Sequence, residues 1–449
     1  MKIQKLIFCW MFVLFGIQNM AQAESQQEFC LENGMKVIVR EDHRAPVAVN
    51  MVWYRVGSMD ETSGTTGVAH VLEHMMFKGT EKFPGGSLSK TVARLGGRDN
   101  AFTNTDYTGY YQQVPAQYLE KMIEMEADRM NGLLFKKEDF DKEIKVVQEE
   151  RRWRTEDKPE GLLIEALRAT AFTAHPYHWP VVGWMSDLQA MTIDDAASWY
   201  KKWYAPNNAT LVVVGDVNAQ DVYKMARKYF GPLTKKSWVK TKPQTEPMQR
   251  GIRQVVIQAP AENPTVVLAY KVPSLRDVEK DDDVYALDVL SSVLDGYENA
   301  RMQANLVHKE KIALDVGTEY SAIGRGPSLF VLSAVPAKNV SIETIKNKLR
   351  QSVADIAKQG ISEEELRRVK TQLIAAQVYK RDSMFGQAME IGLFEMSGIG
   401  SQRIDRVIEK LKAVTAEQVK QVANKYFTED QLTVAVLAPI ALPSQQKSK

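Results

Sequence analysis

The segment GVAHVLEHMMFKGT, Gly67 to Thr80, sets two histidines and a glutamate within five residues. On a helix, His70 and His74 stand almost above one another, four positions apart, and can offer imidazole nitrogens to a single ion. Glu73 lies three positions after His70, where its carboxylate can reach a water on that ion. A catalytic zinc takes three protein ligands and leaves its fourth position to water. The plain alternative is two surface histidines brought together by chance. With six histidines in 449 residues, that coincidence is expected in about one chain in a hundred or fewer. The other four, His43, His175, His178 and His308, form no comparable pair; His175 and His178 flank Pro176-Tyr177 and read as structural.

The order HxxEH mirrors the HExxH zinc signature and is the inverzincin pattern. A third ligand should be a carboxylate on another rigid element. The helical stretch DFDKEIKVVQEERRWR offers Glu143, Glu149 and Glu150. Seven residues make nearly two turns, so Glu143 and Glu150 share a face while Glu149 points elsewhere. That spacing suits one ligand and one supporting carboxylate, and it suits an exposed charged face equally well.

The elements that must hold these groups can be traced along the chain. MKVIVRED and VAVNMVWYRVG alternate as strands do, and the helix carrying His70 follows. GGSLSKTVARLGG reads as a second helix, DNAFTNTDYTGYYQQV as a strand, and AQYLEKMIEMEADRMNGL and KEDFDKEIKVVQEERRWRTE as long helices. ATLVVVGDV is a buried strand. Residues 236–250 lack apolar periodicity and hold two prolines, so they read as a linker. Beyond it the order repeats: strands RQVVIQAP and TVVLAYKVP, a helix from about Asp281, strands near Leu314 and Leu329, further helices and the strand LTVAVLAP. A chain of 449 residues exceeds one ordinary core. The expectation is an α+β protein of two duplicated α/β-sandwich domains, 24–235 and 251–449, each a mixed sheet with helices.

Residues 1–23 read as a secretory signal. Lys2 and Lys5 precede the apolar run LIFCWMFVLFGI, and Ala21-Gln22-Ala23 supplies the small residues of a cleavage site. The expected location is the periplasm of a Gram-negative bacterium. Cleavage removes two lysines, so Lys+Arg falls from 58 to 56 against 56 Asp+Glu. A neutral chain gives no support to a nucleic-acid partner, and no later apolar run suits stable membrane insertion. Cys30 is then the lone cysteine, without an internal disulfide, and reads as a small apolar residue beside the first strand.

Taken together, HVLEHMMFKGT, LGGRDNAFTNTDYTGYY, EADRM, EIKVVQEERR, HPYHWPVVGW and YAPNNATLVVVGDV resemble the pitrilysin/insulinase family of zinc peptidases. The likeness is nearest to its short bacterial members and to the β subunit of mitochondrial processing peptidase. It covers nearly all of the first domain and continues, more weakly, through the second. It implies one Zn²⁺ per chain held by His70, His74 and Glu150, with Glu73 as general base and Glu143 as supporting carboxylate; Glu149 is the alternative ligand. It also implies that Asn100, Ala101 and Phe102 lie on an edge strand that holds peptide substrates.

One departure stands out. Active members of the family carry an Arg and a Tyr, seven residues apart, that hold substrate and the tetrahedral intermediate. The matching positions in ARMQANLVHKEKIALDV are Val307 and Leu314, which have no side-chain donor. The resemblance therefore implies a partner, a similar subunit that carries the Arg/Tyr pair and closes a clam-shell over this chain's metal. The other reading is a non-catalytic assembly or chaperone-like subunit.

Overall fold

The computed structural model describes residues 26–237 and 242–441. The predicted signal, 1–23, lies outside them. The β-branched and aromatic stretches pair into two sheets. The first holds β1 (Gln26–Cys30), β2 (Lys36–Glu41), β3 (Val47–Tyr54), β4 (Arg98–Thr103), β5 (Thr108–Pro115) and β6 (Ala209–Gly215), in the order β1-β2-β6-β3-β5-β4. The second holds β7 (Arg253–Pro260), β8 (Thr265–Val272), β9 (Ala313–Glu319), β10 (Ser328–Pro336) and β11 (Leu432–Ile440), in the order β7-β11-β8-β10-β9. Without β1 the two orders are the same. In each sheet the leading pair, β2 with β6 and β7 with β11, is parallel, and every other pair is antiparallel. The chain is a mixed α/β protein built from two duplicated sheet-and-helix units.

DNAFTNTDYTGYYQQV, expected as one strand, is the hairpin of β4 and β5. Asn104, Thr105 and Asp106 are turn-forming residues, and the turn closes with Asn104 N–H donating to the Tyr107 carbonyl at 2.8 Å. Cys30 does lie beside the first strand read from the sequence, ending β1 opposite Lys36 of β2; it is exposed there, its thiol donating to the Leu31 carbonyl at 3.5 Å.

β3 is buried at seven of its eight residues because both faces of the sheet are covered. Val52 and Tyr54 join the core beneath the helix Val68–Met75, whereas Val49, Met51 and Trp53 meet the helix Met384–Ser397. That second helix comes from the other half of the chain. The exchange is reciprocal, since the helix Pro159–Ala171 lays Leu163 and Leu167 on Val267, Ala269, Ala435 and Leu437 of the second sheet. The linker thus separates two stretches of sequence whose covering helices cross over. Gly392 permits one crossing: an added Cβ there would lie 2.0 Å from the buried Trp53 indole.

Two polar clasps secure the crossing. Arg325, between β9 and β10, reaches the first unit and grips Asp60 at 2.7 and 2.9 Å, with its backbone N–H on Asp106 at 2.8 Å. In the linker, Glu246 accepts backbone N–H groups of Thr173, Ala174 and His175 at 2.9–3.0 Å and pairs with Lys271 at 2.9 Å. Burial pushes the Glu246 carboxyl up, but the three N–H donors and Lys271 outweigh it and carry the group from an ordinary 4.5 down to about 2. A depressed carboxylate stabilises the fold fully above its unfolded value and loses that contribution as pH falls towards its folded value. Glu246→Gln should therefore lower the thermal midpoint at neutral pH and flatten the loss of stability between about pH 4.5 and 2. Acid-unfolding curves that coincide for the two proteins would contradict this.

Candidate functional site

The helix Val68–Met75 starts where only glycine fits. Gly67 has φ of +89°, and an added Cβ would meet the Val182 carbonyl oxygen at 2.5 Å. With no side chain there to cap the helix, Glu61 does so from upstream, accepting the N–H groups of Gly67 at 2.8 Å and Ala69 at 2.9 Å. A cap of this kind is worth about 1 kcal/mol; burial pushes the Glu61 carboxyl up, and the two N–H donors oppose it. Val68, Val71, Leu72 and Met75 are buried in the first core. Fixing that apolar side turns His70 and His74 towards the helix Lys137–Arg151, which is anchored by Phe140, Ile144 and Val147.

The two helices meet at Glu150. Its Oε2 lies 3.5 Å from His70 Nε2 and 3.3 Å from His74 Nε2. Among the described residues, these three form a group whose ligand atoms all lie within 4.8 Å of one another. Four ligands at zinc bond lengths of about 2.0–2.2 Å stand roughly 3.3–3.5 Å apart at tetrahedral angles, so the spacing fits. The supporting contacts fit as well. His74 Nδ1 lies 3.1 Å from Glu143 Oε2, which directs its Nε2 lone pair at the cluster. Glu143 is held in turn by Lys78 at 2.5 Å, and Glu150 by Arg154 at 2.6 Å. Glu73 accepts a hydrogen bond from Thr103 Oγ1, at the end of β4, at 2.6 Å. Three carboxylates against Lys78 and Arg154 leave one negative charge, which suits a divalent cation.

Burial, reinforced by the neighbouring His74, holds the His70 imidazole down to about 4, so it is neutral at pH 7, as a ligand must be. Burial also lowers His74, but hydrogen bonds to Glu150 and Glu143 outweigh it and raise the group. The His74 hydrogen bond, against burial, keeps the Glu150 carboxyl down to about 2 and hence ionised. Burial pushes Glu73 up, with Thr103 opposing, which moves a carboxylate in the direction a general base needs.

The structure brings His70, Glu73, His74, Glu143 and Glu150 together. Glu149 is 71% exposed and turns outward onto Arg152. Asn100, Ala101 and Phe102 lie on β4, the edge of the first sheet nearest the helix of His70. They do not share a face: Ala101 packs towards that helix, while Phe102 lies behind the sheet against Trp53 and Tyr107. Phe102 can therefore offer a substrate only its backbone. Val307 packs half-buried against the second core, and Leu314 is 56% exposed on β9. His175 is buried and accepts the Tyr177 N–H at 3.2 Å, while His178 bonds the His175 carbonyl at 2.9 Å. Sequence reading gave no role at the metal cluster to Thr103, Lys78 or Arg154. The last two carry a signal, each standing four residues after a site residue, His74 and Glu150.

Residues 36–183 match the family model for insulinase (peptidase family M16), and residues 190–373 match the model for the peptidase M16 inactive domain. The zinc protease PqqE of Helicobacter pylori is 32% identical over 96% of this chain and 97% of its own length. YmxG of Bacillus subtilis, named an uncharacterized zinc protease, is 24% identical over 92% and 98%. The crystal structure of a protease from Helicobacter pylori superposes with a TM-score of 0.88 at 31% identity, covering 93% of this chain and 100% of that one. The periplasmic protease PqqL of Escherichia coli shares the fold, with a TM-score of 0.78 at 20% identity, over 94% of this chain and 49% of that chain. The chain belongs to the insulinase family of peptidases, family M16.

The geometry ranks the acidic residues. Glu150→Gln should weaken zinc binding most and Glu149→Gln scarcely at all. Glu143→Gln should fall between, since loss of a group supporting a ligand typically costs about 10–100-fold in metal affinity or activity. Competitive chelator titration of the three variants measures the order; a larger loss in Glu149→Gln would overturn it.

Proposed function

We propose that the protein is a zinc-dependent endopeptidase acting on extended or unfolded peptides. The observation that carries this reading is the convergence of His70, His74 and Glu150 beside the half-buried Glu73. These three residues would hold the metal, one Zn²⁺ per chain. Bound zinc lowers the pKa of a coordinated water and polarises the scissile carbonyl. Glu73 takes the proton of the attacking water and hands it to the leaving amine. Thr103 keeps the Glu73 carboxylate aimed at the site, and Glu143 holds the tautomer of His74. No nucleophilic side chain is required.

The substrate class follows from β4. As a sheet edge it can accept an added strand, a mode that reads backbone more than sequence. The exposed N–H of Ala101 is taken at 2.9 Å by the side chain of its neighbour Asn100. An incoming strand can replace that local bond with one of its own, so Asn100 shields the edge of the free protein.

Val307 and Leu314 offer no hydrogen bond to the tetrahedral intermediate. We therefore propose a heterodimer with a similar exported chain, whose second unit supplies an Arg and a Tyr. A longer relative fold of which this chain spans about half, PqqL, is consistent with two such units working together. The same missing donors, with the inactive-domain match over 190–373, favour one second reading, a non-catalytic assembly subunit.

Glu73→Gln should retain about one zinc per chain while losing peptide hydrolysis, because it removes the base and leaves the ligands. Wild-type protein prepared without chelators that proved metal-free would refute the zinc reading.

Loss of one oxyanion donor costs about 10²–10³ in kcat, so the isolated chain should hydrolyse peptides poorly. Its rate should rise steeply on mixing with the partner chain. Full activity alone, unchanged by any partner, would reject the pair.

A further inference from the structure

The duplication gives the metal-binding helix a counterpart. The helix Asp282–Asp295 follows β8 as Val68–Met75 follows β3, and its stretch DVLSS (Asp288–Ser292) aligns with HVLEH (His70–His74). Asp288 stands in the place of His70, and Ser291 and Ser292 in those of Glu73 and His74. The surroundings correspond too. Ser291 Oγ lies 3.0 Å from Thr318 Oγ1 near the end of β9, as Glu73 lies against Thr103 at the end of β4.

The metal ligands are gone from this second copy, but the space is not. Asp288 lines a cavity of about 820 Å³ between the two units. Sites for small ligands run to about 300–1,000 Å³ and are mostly apolar with a few placed polar groups. Leu275, Ile323, Leu393, Val407, Ile408 and Leu411 form much of the wall.

Nearby donors are committed elsewhere. The Tyr285 hydroxyl donates to the Val278 carbonyl at 3.1 Å, Tyr320 to the Pro273 carbonyl at 2.8 Å, and Lys380 Nζ to Gln377 at 3.2 Å. Among the described residues no ion pair forms on Asp288, and burial pushes its carboxyl up to about 7, with Lys380 opposing in part. The remaining charged groups on the wall are Asp106, Glu319, Glu390, Arg168 and Lys380, so acids outnumber bases. Asp106 is engaged by Arg325 and Tyr177, and Glu390 has Arg381 Nε at 3.9 Å, which leaves Asp288 as the carboxylate open to a ligand's cation. An apolar chamber with a deep carboxylate short of donors is matched by a molecule that brings a cation and hydrocarbon together.

We propose that this cavity binds a small apolar amine, its ammonium group paired with Asp288 and its hydrocarbon part against the apolar wall. The site is separate from the metal centre, and the proposal stands whether or not the chain is an active peptidase. Calorimetric titration of the purified full-length chain with n-octylammonium, n-octanol and octanoate tests it. The amine should bind saturably at one site, about tenfold or more tighter than the alcohol, as a charge-assisted hydrogen bond provides. Octanoate should bind more weakly still. Asp288→Asn should bring the amine down to the level of the alcohol while zinc content and thermal midpoint stay unchanged. Alcohol or octanoate binding as tightly as the amine, no saturable binding of the amine, or an amine affinity untouched in Asp288→Asn would each overturn the proposal. Should that variant fail to fold, the comparison of the three probes on the wild-type chain still decides.

Discussion

The Glu150 carboxylate, 3.5 Å from one imidazole and 3.3 Å from the other, is the contact on which the first unit is organised. It joins two helices far apart in sequence, and both must be placed before it can form. One helix is placed by Gly67, by the Glu61 cap and by a buried apolar side. The other is held by Phe140, Ile144 and Val147. Assembling Glu73, Glu143 and Glu150 in a half-buried space is unfavourable for like charges. Lys78 and Arg154 offset that cost in part. The negative charge that remains attracts a cation, and the ligand spacing suits one bound at zinc distances.

The duplication explains how one architecture carries two different interiors. Both sheets order their strands alike, and each half of the chain lends the other a covering helix. In the first unit the residues on the counterpart helix are His70, Glu73 and His74. In the second they are Asp288, Ser291 and Ser292, which cannot hold zinc as a pair of imidazoles can. The apolar residues Val71 and Leu72 match Val289 and Leu290, all fully buried. Packing thus constrained the inner side of the helix in both copies and left the outer side free to change. The crossing of helices also makes the two units interdependent, since Trp53 of one lies against Gly392 of the other.

Much of this was legible in the sequence. The four-residue spacing of His70 and His74 and the seven-residue spacing of Glu143 and Glu150 are helical periods, and periods survive folding. The strand runs and the repeated element order were readable for the same reason. What could not be read was long-range. Nothing local says that Met384–Ser397 covers the first sheet, or that Arg325 clasps Asp60. The β4–β5 turn was missed because Asn104–Asp106 holds no Gly or Pro and is flanked on both sides by the strand-favouring Phe102, Thr103, Tyr107 and Thr108. The family resemblance supplied the ligand choice between Glu149 and Glu150; exposure of Glu149 on the structure supports the same choice independently.

The most direct test of the metal site is anomalous diffraction at the zinc absorption edge from crystals of the protein purified without chelators. The account predicts one strong peak per chain, within bonding distance of His70 Nε2, His74 Nε2 and Glu150 Oε2. A peak elsewhere, or none in fully occupied, chelator-free crystals, would contradict it.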